Sequence, residues 1–354
     1  MSDVTMQQLN EKRALLDSGN MWEAIATFPR QLTDAREIPL PPSHSIRTDR
    51  VQNIVFSGMG GSAIGGDLLN TFFRNELPVP LVVNRNYQLP GFVNERSLLV
   101  FSSYSGNTEE TLSAFQQGLE TGAQIAGISS GGELAEHFEH KGFPWIQIPR
   151  GYQPRAALGY SFIPLARFFV HIGLVKHFLE DEIAETISVL QDLGEQYQSD
   201  GVGNRALEIS RTLVGSLPVT YTAPELSVVG VRFKGQIAEN AQMLGFSNEL
   251  PEMNHNEIVG WDQQEELLRK IVLLWMVDRD SDPKIQRRLE ITRDLLQEYP
   301  KEIFTLETTG GSWMARLFSL IHLSDWVSLH TALLNGVDPT PVKRIDLLKE
   351  RLAG

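Results

Sequence analysis

The stretch FSGMGGSAIGG at residues 56–66 continues the apolar run VQNIV, and a second stretch, FSSYSGNTEET at 101–111, continues SLLV. In both, a run of buried-strand character breaks into glycine, serine and threonine. A helical spacing then resumes, first in SAIGGDLLNTFF and later in NTEETLSAFQQGLETG. PLVVN (80–84), AQIAGISS and WIQIP read as further strands. Strands alternating with helices imply a parallel sheet covered on both faces, which makes 46–156 one doubly wound α/β domain.

Working outward, residues 1–45 read as an N-terminal helical extension. Residues 157–200 carry two long helical patterns with no strand between them and read as a helical connection. A second alternation fills 201–354. It runs through a helix (RALEISRTLVGS), a strand (PVTYTA, 218–223), a long helix (ELSVVGVRFKGQIAENAQML) and a strand (RKIVLLWMV, 269–277). A helix near 285–297, a strand at 302–306, a helix at 312–334 and a C-terminal helical tail complete it. The expected fold is therefore α/β: two doubly wound parallel-sheet domains joined by long helices. The second domain repeats the element order of the first but lacks a glycine-rich loop after its first strand.

A chain of 354 residues is long enough for roughly two domains. The formal net charge of −13 disfavours general nucleic-acid binding. The absence of cysteine removes disulfides, thiolate catalysis and cysteine-based metal sites, and fits a reducing cytoplasm. No stretch offers about eighteen uninterrupted apolar residues, so no membrane span is expected. The polar N-terminus lacks the apolar core of a secretory signal.

In open parallel sheets, ligands sit beyond the carboxyl ends of the strands, where the two glycine–serine loops lie. A helix N-terminus there offers unpaired N–H groups and the positive end of the dipole. Gly60, Gly61 and Ser62 in one loop and Ser103, Ser105 and Thr108 in the other are candidate anion contacts. The ordinary alternative is a pair of tight, capped βα turns. GMGGSA also fits the dinucleotide pattern G-x-G-x-x-A, but the acidic residue this requires after the second strand is replaced by Asn84 and Arg85. The P-loop pattern is absent.

SGMGGSAIGGDLL with SYSGNTEETL resembles the sugar isomerase (SIS) domain. PRAALG (154–159), AENAQMLGFSNELPEMNHNEIVGW (238–261) and IDLLK (345–349) resemble the bifunctional phosphoglucose/phosphomannose isomerases, which carry two SIS domains. The resemblance runs from about residue 45 to the end. It implies isomerisation of glucose 6-phosphate, and of mannose 6-phosphate, to fructose 6-phosphate without metal or organic cofactor. It implies Gly60, Gly61, Ser62, Ser103, Ser105 and Thr108 as phosphate contacts and Arg155, Glu239, His255 and Lys349 as the catalytic group. It also implies a homodimer in which His255 acts across the interface.

The residue types suit that chemistry. Proton transfer between C1 and C2 needs one base, and a shielded carboxylate such as Glu239 can serve. A fixed cation such as Arg155 lowers the cost of the enediolate. Histidine suits ring opening because it titrates near neutral pH. Lys343 competes with Lys349 as the site lysine, and Thr340 is a candidate contact near C1–C2 that would permit use of the mannose epimer. Of the other histidines, His137 and His140 read as solvated on a helix face, and His171 and His177 as packed in an apolar helix; no zinc-type cluster stands out. The rival function is a sugar-phosphate sensor without catalysis. A glutamine-dependent synthase of the same superfamily would need a cysteine nucleophile.

Overall fold

The computed structural model describes residues 5–199 and 203–353. The chain opens with helices α1 (Met6–Leu16), α2 (Met21–Ala26) and α3 (Phe28–Arg36). Next come β1 (Asn53–Ser57), α4 (Gly60–Phe72), β2 (Leu81–Asn84), β3 (Ser97–Ser103), α5 (Glu109–Gly118), β4 (Gln124–Ser129), α6 (Gly132–Lys141) and β5 (Trp145–Gln147). α7 (Leu158–His171), α8 (Leu179–Tyr197) and α9 (Arg205–Leu213) precede β6 (Leu217–Thr222), α10 (Ser227–Asn240) and β7 (Phe246–Glu249). The remainder is α11 (Glu265–Leu268), β8 (Ile271–Val277), α12 (Pro283–Leu296), β9 (Glu302–Glu307), α13 (Trp313–Leu334) and α14 (Lys343–Ala353).

Two compact units result, one spanning Thr27–Ile187 and the other drawn from Met1–Ala26 and Ser188–Gly354. These limits differ from the sequence segmentation for a packing reason. α7 lies on α3 and α4, so much of the expected connection belongs to the first unit. α1 and α2 lie on α13, so the start of the chain belongs to the second.

The first unit holds a five-stranded parallel sheet in the order β2-β1-β3-β4-β5. All seven residues of β3 are buried, as a strand covered on both faces requires. On one face Leu99 and Phe101 pack with Ala114 and Phe115 of α5 and Leu134 and Phe138 of α6. The order reverses direction between β1 and β3, so the helix-starting loops after these strands flank the switch point. Neither His171 nor His177 packs within an apolar helix as expected, although the His177 ring does pack against Phe72 and Phe73. His171 ends α7 exposed, where a polar ring at the last turn meets solvent. His177 stands in the following loop, where Glu76 and Glu182 each approach one ring nitrogen at 2.8 Å.

The second unit has a four-stranded parallel sheet in the order β7-β6-β8-β9. β7 reads FSNE and lacks any apolar alternation. It pairs only with β6, and none of its residues is fully buried, so hydrophobic pattern does not announce it. α12 begins at Pro283 with the Asp282 carboxylate accepting from the Lys284 N–H, a proline-plus-cap start. α13 is long and apolar enough to cross a membrane, but it is the buried core helix of this unit and contacts α1, α2, α9 and α10. Two of its charged residues are matched inside the fold: Arg316 with Asp278 at 2.9 Å, and Asp325 with Arg232 and Gln236 of α10.

His322 and His330 of α13 are fully enclosed, and burial pushes each ring's pKa down to about 3. An unfolded histidine titrates near 6.5, so between about pH 6.5 and about 3 the unfolded chain carries protons that the folded chain lacks. Their contribution is therefore intact above about pH 6.5 and is lost as pH falls through that window. Urea unfolding at about pH 5 is expected to show a loss of about 2 kcal/mol per ring relative to about pH 7.5. His330, set between Trp22 and Trp326, has no ring-nitrogen partner among the described residues. His330→Phe should remove about half of this pH dependence; an unchanged slope would assign it to other groups.

Candidate active site

In the first unit, α4 starts without a side-chain cap and with no acidic residue in its first turn. Its leading N–H groups, at Gly60 and Gly61, precede the first intrahelical acceptor and remain open. α5 also starts without a side-chain cap at Thr108, but Glu109 and Glu110 occupy its first turn and already answer its dipole. An anion is therefore best seated at α4. The dipole contributes about 0.3–1 kcal/mol there. Each hydrogen bond to a charged group contributes about 1.5–3 kcal/mol, so the N–H groups decide the affinity.

The two loops are tied together. Ser62 Oγ accepts from the Tyr104 N–H at 3.0 Å, linking α4 to the loop after β3. Ser103 Oγ accepts from the Gly106 N–H at 3.1 Å and lies 2.8 Å from Thr108 Oγ1. Ser105 Oγ accepts from the Asn107 N–H at 3.2 Å. Ser62 and Ser103 are buried and brace the loops, whereas Ser105 is exposed and Thr108 half-buried at the rim. Gly106 has φ +74°, and a Cβ there would fall 1.7 Å from the Gly131 carbonyl oxygen, so only glycine closes this turn. The space enclosed among Gly61, Ser62, Tyr104 and Pro154 is about 10 Å³, too small to hold an anion itself.

Arg155 joins this group. It sits in the 3-10 turn Pro154–Ala156 and is 5% exposed. A Cβ on Gly61 would lie 2.8 Å from the Pro154 carbonyl oxygen, so the missing side chain lets the arginine's turn close against the start of α4. Asn84, where a dinucleotide site needs an acid, is buried and donates to Ser57 Oγ and the Asn86 carbonyl; Arg85 pairs with Asp67 of α4.

The other candidates lie in the second unit. Glu239 is half-buried in the last turn of α10, beside Asn240, whose amide donates to Ser328 Oγ at 2.9 Å. Residues 232, 236 and 240 form a polar stripe at i, i+4 and i+8. Through Asp325 and Ser328 this stripe fixes the rotation of α10 against α13, and hence the face on which Glu239 projects. Sequence reasoning missed the stripe, although its spacing was visible.

His255 lies in the 3-10 turn Glu252–His255 and is exposed. Its neighbours are clamps. Asn254 donates to Thr292 Oγ1, Asn256 to Glu252 Oε1, and Glu257 accepts from Tyr221 Oη at 2.5 Å and from Asn248 at 2.6 Å. Burial and the Glu257 carboxylate push the Tyr221 hydroxyl pKa up, so it stays protonated and donates. Among the described residues His255 alone of this NHNE run makes no side-chain hydrogen bond.

Thr340 follows α13. Its side chain stands where a Cβ on Gly19 would fall, 2.2 Å from Cγ2, and Asp338 beside it accepts from Ser18 Oγ at 2.5 Å. Lys343 opens α14 and Lys349 lies farther along it; both are exposed. The structure thus gathers Gly60, Gly61, Ser62, Ser103, Ser105, Thr108 and Arg155 within one unit. Glu239, His255, Thr340 and the two lysines belong to the other.

A family profile described as the bacterial phospho-glucose isomerase C-terminal SIS domain matches residues 203–352. A solved hypothetical protein from Thermus thermophilus shares the fold at TM-score 0.74, with 17% identity over 98% of this chain and 95% of its own. The C-terminal domain of glucosamine-fructose-6-phosphate aminotransferase from Francisella tularensis does so at 0.70, with 13% identity over 92% of this chain and 98% of its own. D-glucosamine-6-phosphate 4-epimerase from Sulfolobus acidocaldarius is 34% identical over 60% of this chain and 65% of its own. The bifunctional phosphoglucose/phosphomannose isomerase of Caldicellulosiruptor bescii is 42% identical over 94% of this chain and 99% of its own; that of Aquifex aeolicus is 37% identical over 85% and 90%. With its two parallel sheets, its paired serine loops and relatives this similar along nearly their whole length, the chain belongs to the bifunctional phosphoglucose/phosphomannose isomerase family.

Proposed function

We propose that this isomerase interconverts glucose 6-phosphate and mannose 6-phosphate with fructose 6-phosphate, in the cytoplasm and without a metal ion. The observation that carries the reading is the uncapped, acid-free start of α4 facing the serine loop, in a chain 42% identical to an enzyme of that name. The phosphate seat is built by the Gly60 and Gly61 N–H groups and by Ser62, Ser103, Ser105 and Thr108. Given how the loops are braced, Ser105 and Thr108 make the direct hydroxyl contacts, while Ser62 and Ser103 shape the seat.

His255, contributed by the second subunit of a homodimer, and Lys349 open the sugar ring. Glu239 takes the proton from C2 of the open aldose, leaving an enediol, and returns it to C1 while a proton passes from O2 to O1. Arg155 offsets the negative charge that develops on oxygen in this step. Thr340 borders C1–C2, where the two aldose epimers differ.

The test is a coupled assay on both aldose phosphates with EDTA present. Turnover of both is expected; turnover of neither overturns the reading. Nuclear magnetic resonance of the product pool separates the chemistry named for the epimerase relative, since inversion at C4 would point there instead. His255→Ala is expected to slow cyclic substrate more than tenfold beyond open-chain substrate, at the scale of one lost acid–base group. Equal slowing would remove the ring-opening role.

A further inference from the structure

The two sheets carry corresponding registers with different covers. In the first unit Phe101 of β3 pairs with Gly127 of β4, and α6 follows β4 back over that face. Phe138 of α6 lies so close over the glycine that a Cβ there would be 2.0 Å from its ring. In the second unit the corresponding pair is Trp275 of β8 and Thr305 of β9. The chain passes from β9 directly into α13, and the apolar cluster around Trp275 takes Leu289 and Leu296 from α12 but nothing from α13. The place that Phe138 fills in one unit is a cavity of about 540 Å³ in the other, between α12 and the β8–β9 face.

That volume is within the ordinary range for small-molecule sites. Trp275, Val277 and Leu289 border the cavity; Trp275 is 1% exposed, and its Nε1–H has no partner among the described residues. A buried donor without an acceptor is costly, and an acceptor oxygen in the cavity would answer it. Around it stand the Thr305 hydroxyl, the Glu307 carboxylate and the Arg293 guanidinium. Glu307 makes no side-chain hydrogen bond or ion pair among the described residues. The Gln286 amide nitrogen donates to the carbonyls of Arg279 and Ser281, which leaves its oxygen as an acceptor. The lining carries two guanidiniums, Arg279 and Arg293, against three carboxylates, Asp278, Glu290 and Glu307, which gives no preference for a polyanion. A lining that mixes apolar side chains with donors and acceptors matches a ring with one C–H face and several hydroxyls.

We propose that this cavity is a second binding site, for a polyhydroxylated sugar ring, separate from the anion seat at α4. The inference does not depend on the isomerase reading. The probes are glucose and mannose, with glucose 6-phosphate as the phosphorylated arm. The readout is the indole N–H spectrum of the full chain labelled with nitrogen-15 tryptophan. The Trp275 signal is identified by its disappearance in Trp275→Phe. The sugars should shift that signal in the native chain. They should not shift it in Thr305→Phe, which fills the place that Phe138 occupies in the first unit. Glu307→Ala should weaken binding about tenfold, and both variants should keep their isomerase turnover. A Trp275 signal that stays still with all three probes, or moves equally in Thr305→Phe, overturns the proposal. So does a shift confined to glucose 6-phosphate that persists in Thr305→Phe, since it would arise from the anion seat. If Thr305→Phe does not fold, undiminished mannose affinity in Glu307→Ala is the overturning result.

Discussion

Glu239→Gln is expected to lower kcat about 10²- to 10⁴-fold while fructose 6-phosphate binds within about threefold of the native affinity. The substitution keeps the volume and most of the hydrogen-bonding capacity and removes only the ability to hold the transferred proton. Binding should survive because the proposed phosphate seat lies elsewhere, on the N–H groups of Gly60 and Gly61 and the hydroxyls of the serine loop. Equilibrium binding and a single-turnover assay on the same preparation separate the two quantities. A variant turning over at near-native rate would take the base away from Glu239. One that lost binding and turnover together would make it a substrate contact.

The second large effect concerns stability. Asp325 and Arg232 are each about 6% exposed in their side chains, and Gln236 donates to the same carboxylate at 2.6 Å. Burial pushes the Asp325 carboxyl pKa up, against the opposing pull of Arg232 and Gln236. Asp325→Ala leaves the guanidinium enclosed without its carboxylate and is expected to cost about 3–5 kcal/mol. An apolar pair, Asp325→Leu with Arg232→Met, should recover much of that loss, because removing both charges also removes their desolvation. Urea unfolding measures both. A loss below about 1 kcal/mol for Asp325→Ala would mean that water reaches the pair. The single variant should also lose turnover in its folded fraction, since Arg232, Gln236 and Asn240 set the rotation of α10 that carries Glu239.

What could be read in the sequence depended on how local the cause was. VQNIVFSG and SLLVFSS declared themselves as strands because apolar runs ending in glycine and serine have few other uses between helical patterns. The loops after them could be placed beyond the carboxyl ends of the strands for the same reason, whereas the switch point needed the strand order. FSNE could not be read as β7, because an edge strand with no fully buried residue has no pattern to show. The membership of the N-terminal helices was also hidden. Trp22 meets Trp326 at 5.0 Å, a contact more than three hundred residues apart in sequence that no local spacing encodes. His177 reads as a packing residue and does pack against Phe72 and Phe73, but its polar partners, Glu76 and Glu182, come from other elements and could not be read locally. The bracing roles of Ser62 and Ser103 were equally out of reach, since a serine in a phosphate-type loop reads the same whether it faces the ligand or Tyr104 and Gly106.

The clamped turn around His255 has a consequence for how this protein can change. Asn254, Asn256 and Glu257 hold the turn in place, and position 255 has no share in that task. Within four consecutive positions, architecture is thus carried by three residues and the proposed chemistry by the fourth. A lineage, or a mutagenesis library, can sample side chains at 255 on an unaltered scaffold, whereas changes at its three neighbours alter the scaffold itself. The acid–base group proposed for this turn is in effect an exchangeable part, and its mounting is the constrained one.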